Sequence, residues 1–144
     1  MNIWPPYLAA GIRVRRISSD FRSARVELRL GLLNRNYVNV HFGGSLFAMT
    51  DPFYMLMYIK NLGADYVVWD KAAAIDFVRP GRGTVAAEFR LNEGDFEHAR
   101  AQAARQRSCL IQHPVDIRDR DDQLVARVER TIYIRRRQPA ASRD

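Results

Sequence analysis

A chain of 144 residues, 47% hydrophobic and 27% charged, reads as one domain over residues 1–144 that needs neither disulfides nor metal to hold a core. Its one cysteine, Cys109, excludes an internal disulfide, no apolar run reaches the ~20 residues of a membrane span, and the N-terminus lacks the pattern of a secretory signal, so a cytoplasmic location is expected. The net charge of +7, from 23 Lys and Arg against 16 acids, gathers in residues 1–35 and 101–144; with no basic helix, paired aromatic strand motif or zinc spacing, it predicts no nucleic-acid partner, and leaves a solvated surface or a phosphate-bearing ligand as its explanations.

Residues 1–10 form an N-terminal segment whose Trp4-Pro5-Pro6-Tyr7 serves packing, oligomer contacts or the roof of a pocket. Residues 12–17 read as a strand. Residues 23–30, SARVELRL, alternate, with Val26, Leu28 and Leu30 on one face and Arg25, Glu27 and Arg29 on the other, the pattern of a half-buried strand. Asn34-Arg35-Asn36 is a turn signal.

Residues 45–62, SLFAMTDPFYMLMYIKNL, are apolar in nearly every direction at helical spacing, which predicts a buried helix. Gly43 and Gly44 precede it, Ser45 is a candidate N-cap, and Gly63 a candidate C-terminal stop. Pro52 inside the pattern predicts a bend or a new first turn.

Residues 71–78 and 84–91 then read as strands, the second with Val85, Ala87, Phe89 and Leu91 inward. Residues 95–107 form a surface helix with Phe96, Ala99 and Ala103 as its apolar stripe. A strand over 110–118 carries Pro114, which places it at an edge or a strand start. Asp119–Asp122 is a turn, and residues 123–134 are the longest strand, with Leu124, Ala126, Val128, Ile132 and Ile134 on one face. Arg135-Arg136-Arg137 reads as a frayed, solvated run, and 138–144 as a flexible tail. The class is α+β, an antiparallel sheet wrapped around one long hydrophobic helix. Val125 and Tyr133 on the outer face suggest a second copy packed there, hence a homodimer or homotetramer.

Several stretches resemble the hotdog-fold acyl-CoA thioesterases. Asn36-x5-Phe42-Gly43-Gly44-x6-Asp51 is similar to the loop-to-helix motif of the phenylacetyl-CoA-type branch, an Asn, then His-Gly-Gly, then an Asp. IDFVRPGR over 75–82 and DDQLVARVERTIYI over 121–134 resemble the strand-and-turn and the closing hairpin of that superfamily. FGGSLFAMTDPFYM, LGADYVVWDKAA and Tyr-Ile-Arg-Arg resemble a hotdog subfamily of originally unknown function. The resemblance spans residues 2–137. It implies hydrolysis of acyl-CoA thioesters, a small-molecule substrate, no cofactor beyond the coenzyme A of the substrate, and an active site between subunits.

On this resemblance Asp51 is the general base or nucleophile. It is the one acid between Gly44 and Ala64, and it could equally cap a helix beginning at Pro52. Gly43 and Gly44 let backbone approach a ligand, and amides around Gly43–Ser45 would hold the oxyanion; the alternative is a tight turn. Phe42 stands where the motif has His, and His41 is one place earlier, which turns it to the other side of an extended chain. His41 either orients the loop or water, or is a bonded structural histidine. Asn36 and Asn39 both suit the motif's asparagine, and both suit turns. Phe42, Ser45, Phe47, Phe53, Tyr54 and Met57 would lie near the acyl chain. Arg79 and Arg82 would meet the phosphates of coenzyme A, or are surface charge. His98 and His113 lack companions at ligand spacing, so no metal is expected; Cys109 reads as a packed thiol and Trp69 as a packing or oligomer contact. The altered Phe42-Gly-Gly motif keeps a second reading open, a non-catalytic acyl or CoA binding module.

Overall fold

In the computed structural model, which describes residues 2–137, the elements run α1 (Pro5–Ala10), β1 (Ile12–Ile17), β2 (Ser23–Arg29), α2 (Gly43–Ala48), α3 (Phe53–Leu62), β3 (Tyr66–Phe77), β4 (Thr84–Arg90), α4 (Glu93–Arg105), β5 (Cys109–Arg118) and β6 (Leu124–Arg136). All strand pairs are antiparallel, in one sheet of order β1-β2-β4-β5-β6-β3. This is the α+β hotdog arrangement. The inner face of the sheet wraps the central helical segment, and Val26, Val85, Phe89, Val115, Ile117, Val128 and Ile132 bury themselves against Phe53, Met57 and Tyr58.

The alternation of residues 23–30 becomes β2, with Ala24, Val26 and Leu28 buried. Residues 95–107 become α4, two residues earlier than expected because Asn92 and Asp95 cap each other's backbone N–H groups. Phe96, Ala99 and Ala103 are its buried stripe.

The central helix is interrupted. Proline cannot continue the hydrogen-bond ladder, so α2 stops at Ala48 and α3 begins at Phe53, with Pro52 at its N-cap. Pro52 therefore sets a new first turn, one of the two outcomes its position predicts. Ser45 is not the N-cap. The helix starts two residues earlier, with Phe42 in extended conformation at the cap.

Two further expectations are corrected at the third and last strands. β3 begins at Tyr66 rather than 71, because Val68 and Asp70 pair with Ile134 and Ile132 of β6. A bulge between Asp70 and Ala72 then changes parity, so that Ala73 and Ile75 meet Arg130 and Val128. Arg135 and Arg136 are paired with Val67 and Tyr66, and the Arg137 N–H donates to the Asp65 carbonyl. The arginine run is thus an ordered strand end rather than a frayed one; 138–144, expected to be a tail, lie outside the described residues.

β5 lies inside the sheet, not at its edge. Yet it joins β4 through two residue pairs only, Ala86 with Arg118 and Ala87 with Ile117. Pro114 sits in the stretch paired to β6 alone, so its missing N–H interrupts no ladder toward β4. The Tyr54 hydroxyl donates to the Pro114 carbonyl at 3.1 Å. Val125, expected on the open outer face, is fully buried: it packs 3.0 Å from the position a Gly81 Cβ would take, and its carbonyl accepts from the N–H groups of Val78 and Arg79. Tyr133 is half-buried and stacks on Trp69, ring centroids 4.4 Å apart.

Candidate active site

The sequence between β2 and α3 brings the expected residues to two places. The first is a cavity of ≈ 410 Å³ lined by Asn36, His41, Gly43, Leu46, Phe77 and Arg79, among others. His41 is 3% exposed. Its N–H donates to the Gly81 carbonyl, and its Nε2 lies 3.1 Å from the Gly83 carbonyl. Its Nδ1 is buried without a partner among the described residues. Burial lowers the His41 pKa from its ordinary value, against the hydrogen bond to Gly83. His41 therefore holds the 81–83 turn as a structural histidine and keeps one nitrogen free.

Asn36 does the work of a turn. Its Oδ1 accepts from the N–H groups of Val38 and Val40 at 3.0 and 3.1 Å. Asn39 is exposed with φ of 60°, also a turn residue. Asn34 is locked, with Nδ2 donating to the Ala10 and Arg29 carbonyls and Oδ1 accepting from Gly31. Arg79 lines the His41 cavity and donates to Gln123 Oε1. Arg82 faces a separate cavity with Arg29 and Arg120, so the two arginines that flank Pro80-Gly81 do not form one cluster.

Gly43 and Gly44 open α2. Their N–H groups donate to nothing among the described residues, as expected of a helix first turn. The Ser45 N–H is different: it donates to the Phe42 carbonyl at 3.0 Å, so free donors are Gly43 and Gly44 alone. The Phe42 ring is exposed and stands over Gly44, where an added Cβ would come within 2.4 Å of it.

Asp51 forms the second place, at the far end of α2. Its side chain is 56% exposed, and Oδ2 lies 3.4 Å from Arg130 Nη2. It does not cap α3; no side chain does. Its carbonyl accepts a hydrogen bond from the Tyr7 hydroxyl, which ties α1 to this turn. Burial pushes the Tyr7 hydroxyl pKa up, with Asp51 adding to the effect, so Tyr7 stays a neutral donor. Arg130 is 3% exposed on the inner face of β6. It also contacts Asp70, Nη2 to Oδ2 at 3.0 Å and Nε to Oδ1 at 3.3 Å, and its guanidinium lies 5.8 Å from the Phe47 ring centroid.

Phe53 and Tyr54, expected near the acyl chain, are buried in the core of this chain. Phe53 packs on Phe89 with centroids 4.8 Å apart, and Tyr54 on Phe89 and His113. Met57 is buried with them. Sequence reasoning passed over Arg130, Asp70 and the hydroxyl of Tyr7. Arg130 had a signal: it occupies the inward register of 124–134, between Val128 and Ile132, where a charge needs a partner.

Among the described residues no group of three or more His, Cys, Asp or Glu gathers as metal ligands. His98 is on the surface beside Gln102. Cys109 is buried near the Ala99 carbonyl, and burial raises its thiol pKa. His113 shares a 2.8 Å hydrogen bond with Tyr58, and burial lowers its pKa from the ordinary value.

Buried His41 and half-buried His113, both with lowered pKa, contribute to the pH dependence of stability. The unfolded chain binds their protons more readily than the folded one. The stability is present above the ordinary histidine midpoint, ~6.5, and is lost as pH falls below it. Circular dichroism melts at pH 8 and 5.5 should show a lower Tm at 5.5, and H113Q should shrink that difference. An undiminished difference in both H113Q and H41Q would place the titration elsewhere.

No curated protein matches the sequence. Among solved structures, a protein of Pseudomonas aeruginosa, PA5026, described as a probable thioesterase, is similar with TM-score 0.77 and 17% identity, over 89% of this chain and 85% of that one. The thioesterase HI1161 of Haemophilus influenzae is similar with TM-score 0.67 and 16% identity, over 96% and 88%. The PaaI protein of the E. coli phenylacetic acid degradation operon is similar with TM-score 0.63 and 17% identity, over 95% and 87%. At these identities the likeness shows the fold. The model of one family, described as a domain of unknown function, DUF4442, matches residues 1–134. The chain belongs to that family, on a hotdog fold shared with thioesterases.

Proposed function

We propose that the protein hydrolyses acyl-CoA thioesters. The observation that carries this reading is the pairing of a half-exposed carboxylate, Asp51, with unused backbone donors at Gly43 and Gly44, on a fold whose solved relatives include thioesterases. Water needs a base to attack a thioester, and the carbonyl oxygen needs donors as it gains charge. Asp51 takes a proton from water as the water oxygen bonds to the carbonyl carbon. Gly43 and Gly44 N–H groups hold the oxyanion. Collapse breaks the C–S bond, and the departing thiolate of coenzyme A takes up the proton. In the alternative step an Asp51 carboxylate oxygen bonds to the carbonyl carbon, the C–S bond breaks and the thiolate of coenzyme A leaves and takes up a proton from water, and a second water cleaves the resulting anhydride to the free acid and Asp51.

The reading takes a homodimer or tetramer, with Asp51 from one subunit facing the glycine pair of another, as the resemblance to the hotdog thioesterases implies. The edge strand β3, which exposes Trp69 and Phe77, has unpaired backbone groups on its outer side for such a contact.

The test is thiol release from a panel of short, long and aromatic acyl-CoAs. Release from at least one class supports the reading and defines the acyl group. Phe42 in place of the motif's histidine favours the second reading, a binding module; tight acyl-CoA binding with no thiol release would establish that instead.

A further inference from the structure

A buried arginine needs a reason. Arg130 lies on the inner face of β6, 3% exposed, in a row that is otherwise apolar. Its register neighbours across the sheet are Ala73 on β3 and His113 on β5. Ala73 leaves room beside it, and the bulge that follows Asp70 lets that carboxylate share the inner face. The guanidinium thus has a fixed partner, Asp70, reached through Nη2 at 3.0 Å and Nε at 3.3 Å. Its reach toward Asp51 is the surplus interaction, at 3.4 Å. Arg130 Nη1 and Asp70 Oδ2 are both buried without a hydrogen-bond partner among the described residues, so the Nη2–Oδ2 approach is an ion-pair contact and the hydrogen bond of the pair runs from Nε to Oδ1.

Stability does not account for this arrangement. A buried charge cluster gains little over apolar side chains of the same volume, since desolvation offsets the Coulomb attraction. Two carboxylates around one guanidinium also leave a net negative charge. What the cluster does provide is a rigid fork at a fixed depth in the sheet, with one end aimed at the only acid of the α2–α3 turn. We propose that Arg130 is a positioning residue. Anchored by Asp70, it holds the Asp51 carboxylate in the orientation that meets substrate. This rests on the thioester-hydrolase reading for its effect on turnover, but not for the contact itself.

Removing Arg130 alone would strand Asp70 as a buried lone carboxylate, so the test uses R130M/D70N, which removes both charges. Misplacing a catalytic group by about 1 Å costs on the order of 10²-fold. R130M/D70N should therefore lose about that factor in kcat, with KM changed less than about twofold. Added to D51N, the same pair should cost nothing further, because its effect runs through Asp51. An equal loss in both backgrounds would mean a merely structural role and would overturn the proposal. A second arm needs no turnover. With 13C-labelled aspartate carboxyl groups, the Asp51 signal, assigned by its disappearance in D51N, should shift in R130M/D70N. A signal that does not move would overturn the contact in solution, whatever the activity. Wild-type turnover in D51N would instead remove Asp51 from the mechanism, no thiol release from the wild type would defeat the hydrolase reading, and in either case the labelled signal alone would decide whether Arg130 holds Asp51.

Discussion

Replacing Asp51 with Asn is expected to lower acyl-CoA turnover by about 10²–10⁴-fold, the usual contribution of a positioned base. The fold should survive. The backbone of this turn is held independently of the side chain, by the Tyr7 hydroxyl on the Asp51 carbonyl and by the Asp51 N–H on the Ala48 carbonyl. The carboxylate is 56% exposed, so the isosteric amide faces water as readily. Asparagine keeps size and polarity but cannot take the proton from water. Steady-state thiol release with circular dichroism beside it reads both halves of the expectation. Unchanged turnover would remove Asp51 from the mechanism.

The second large effect is recovery of activity by mixing two inactive chains. The partner for D51N is G43P. Proline is well tolerated at the first helical position, where its missing N–H costs no intrahelical bond. Phe42 already has the extended backbone that precedes proline comfortably, with φ −63° and ψ 128°. The added ring displaces Phe77, whose side chain is half exposed and has room to move. G43P therefore deletes one oxyanion donor with little else, for an expected loss of about 10²–10³-fold. Unfolded together and refolded as an equal mixture, half the dimers are mixed, and each of those joins Asp51 of the G43P chain to Gly43 of the D51N chain. Turnover should return to about a quarter of wild type. A mixture no more active than its parts would mean that both groups act within one chain, or that they do not act together.

Much of the fold was legible because its physics is local. The period-2 pattern of residues 23–30 and 84–91 and the 3.6 period of Phe96, Ala99 and Ala103 each mark a face that the structure buries. Pro52 could be read because a missing N–H acts wherever it stands. The rest depended on partners far along the chain. Val68 and Asp70 look like no strand face until the bulge at residue 71 changes parity and β6 arrives from sixty positions away. Arg135 and Arg136 read as a solvated run because charge is visible in a sequence and backbone pairing is not. Of the candidate site, the glycine pair and Asp51 were legible as spacing along one stretch. Arg130 was not, because an arginine in a strand is assigned to the outer face by default, and only the register of 128, 130 and 132 contradicts that.

With two residue pairs between β4 and β5, the sheet divides into two leaves, β1-β2-β4 and β5-β6-β3, and Tyr54 packs on both, on Phe89 of one and His113 of the other. Each leaf can fluctuate while the other keeps its hydrogen bonds. The polar groups around the candidate site divide along that line: Asp70 and Arg130 belong to the β3-side leaf, whereas His41 hangs from carbonyls of the turn that enters β4. Breathing at this seam changes the width between the two leaves without melting either. On the proposed hydrolase reading, the leaf spacing is where acyl groups of different bulk would be accommodated, with the Arg130–Asp70 pair carried inside one leaf.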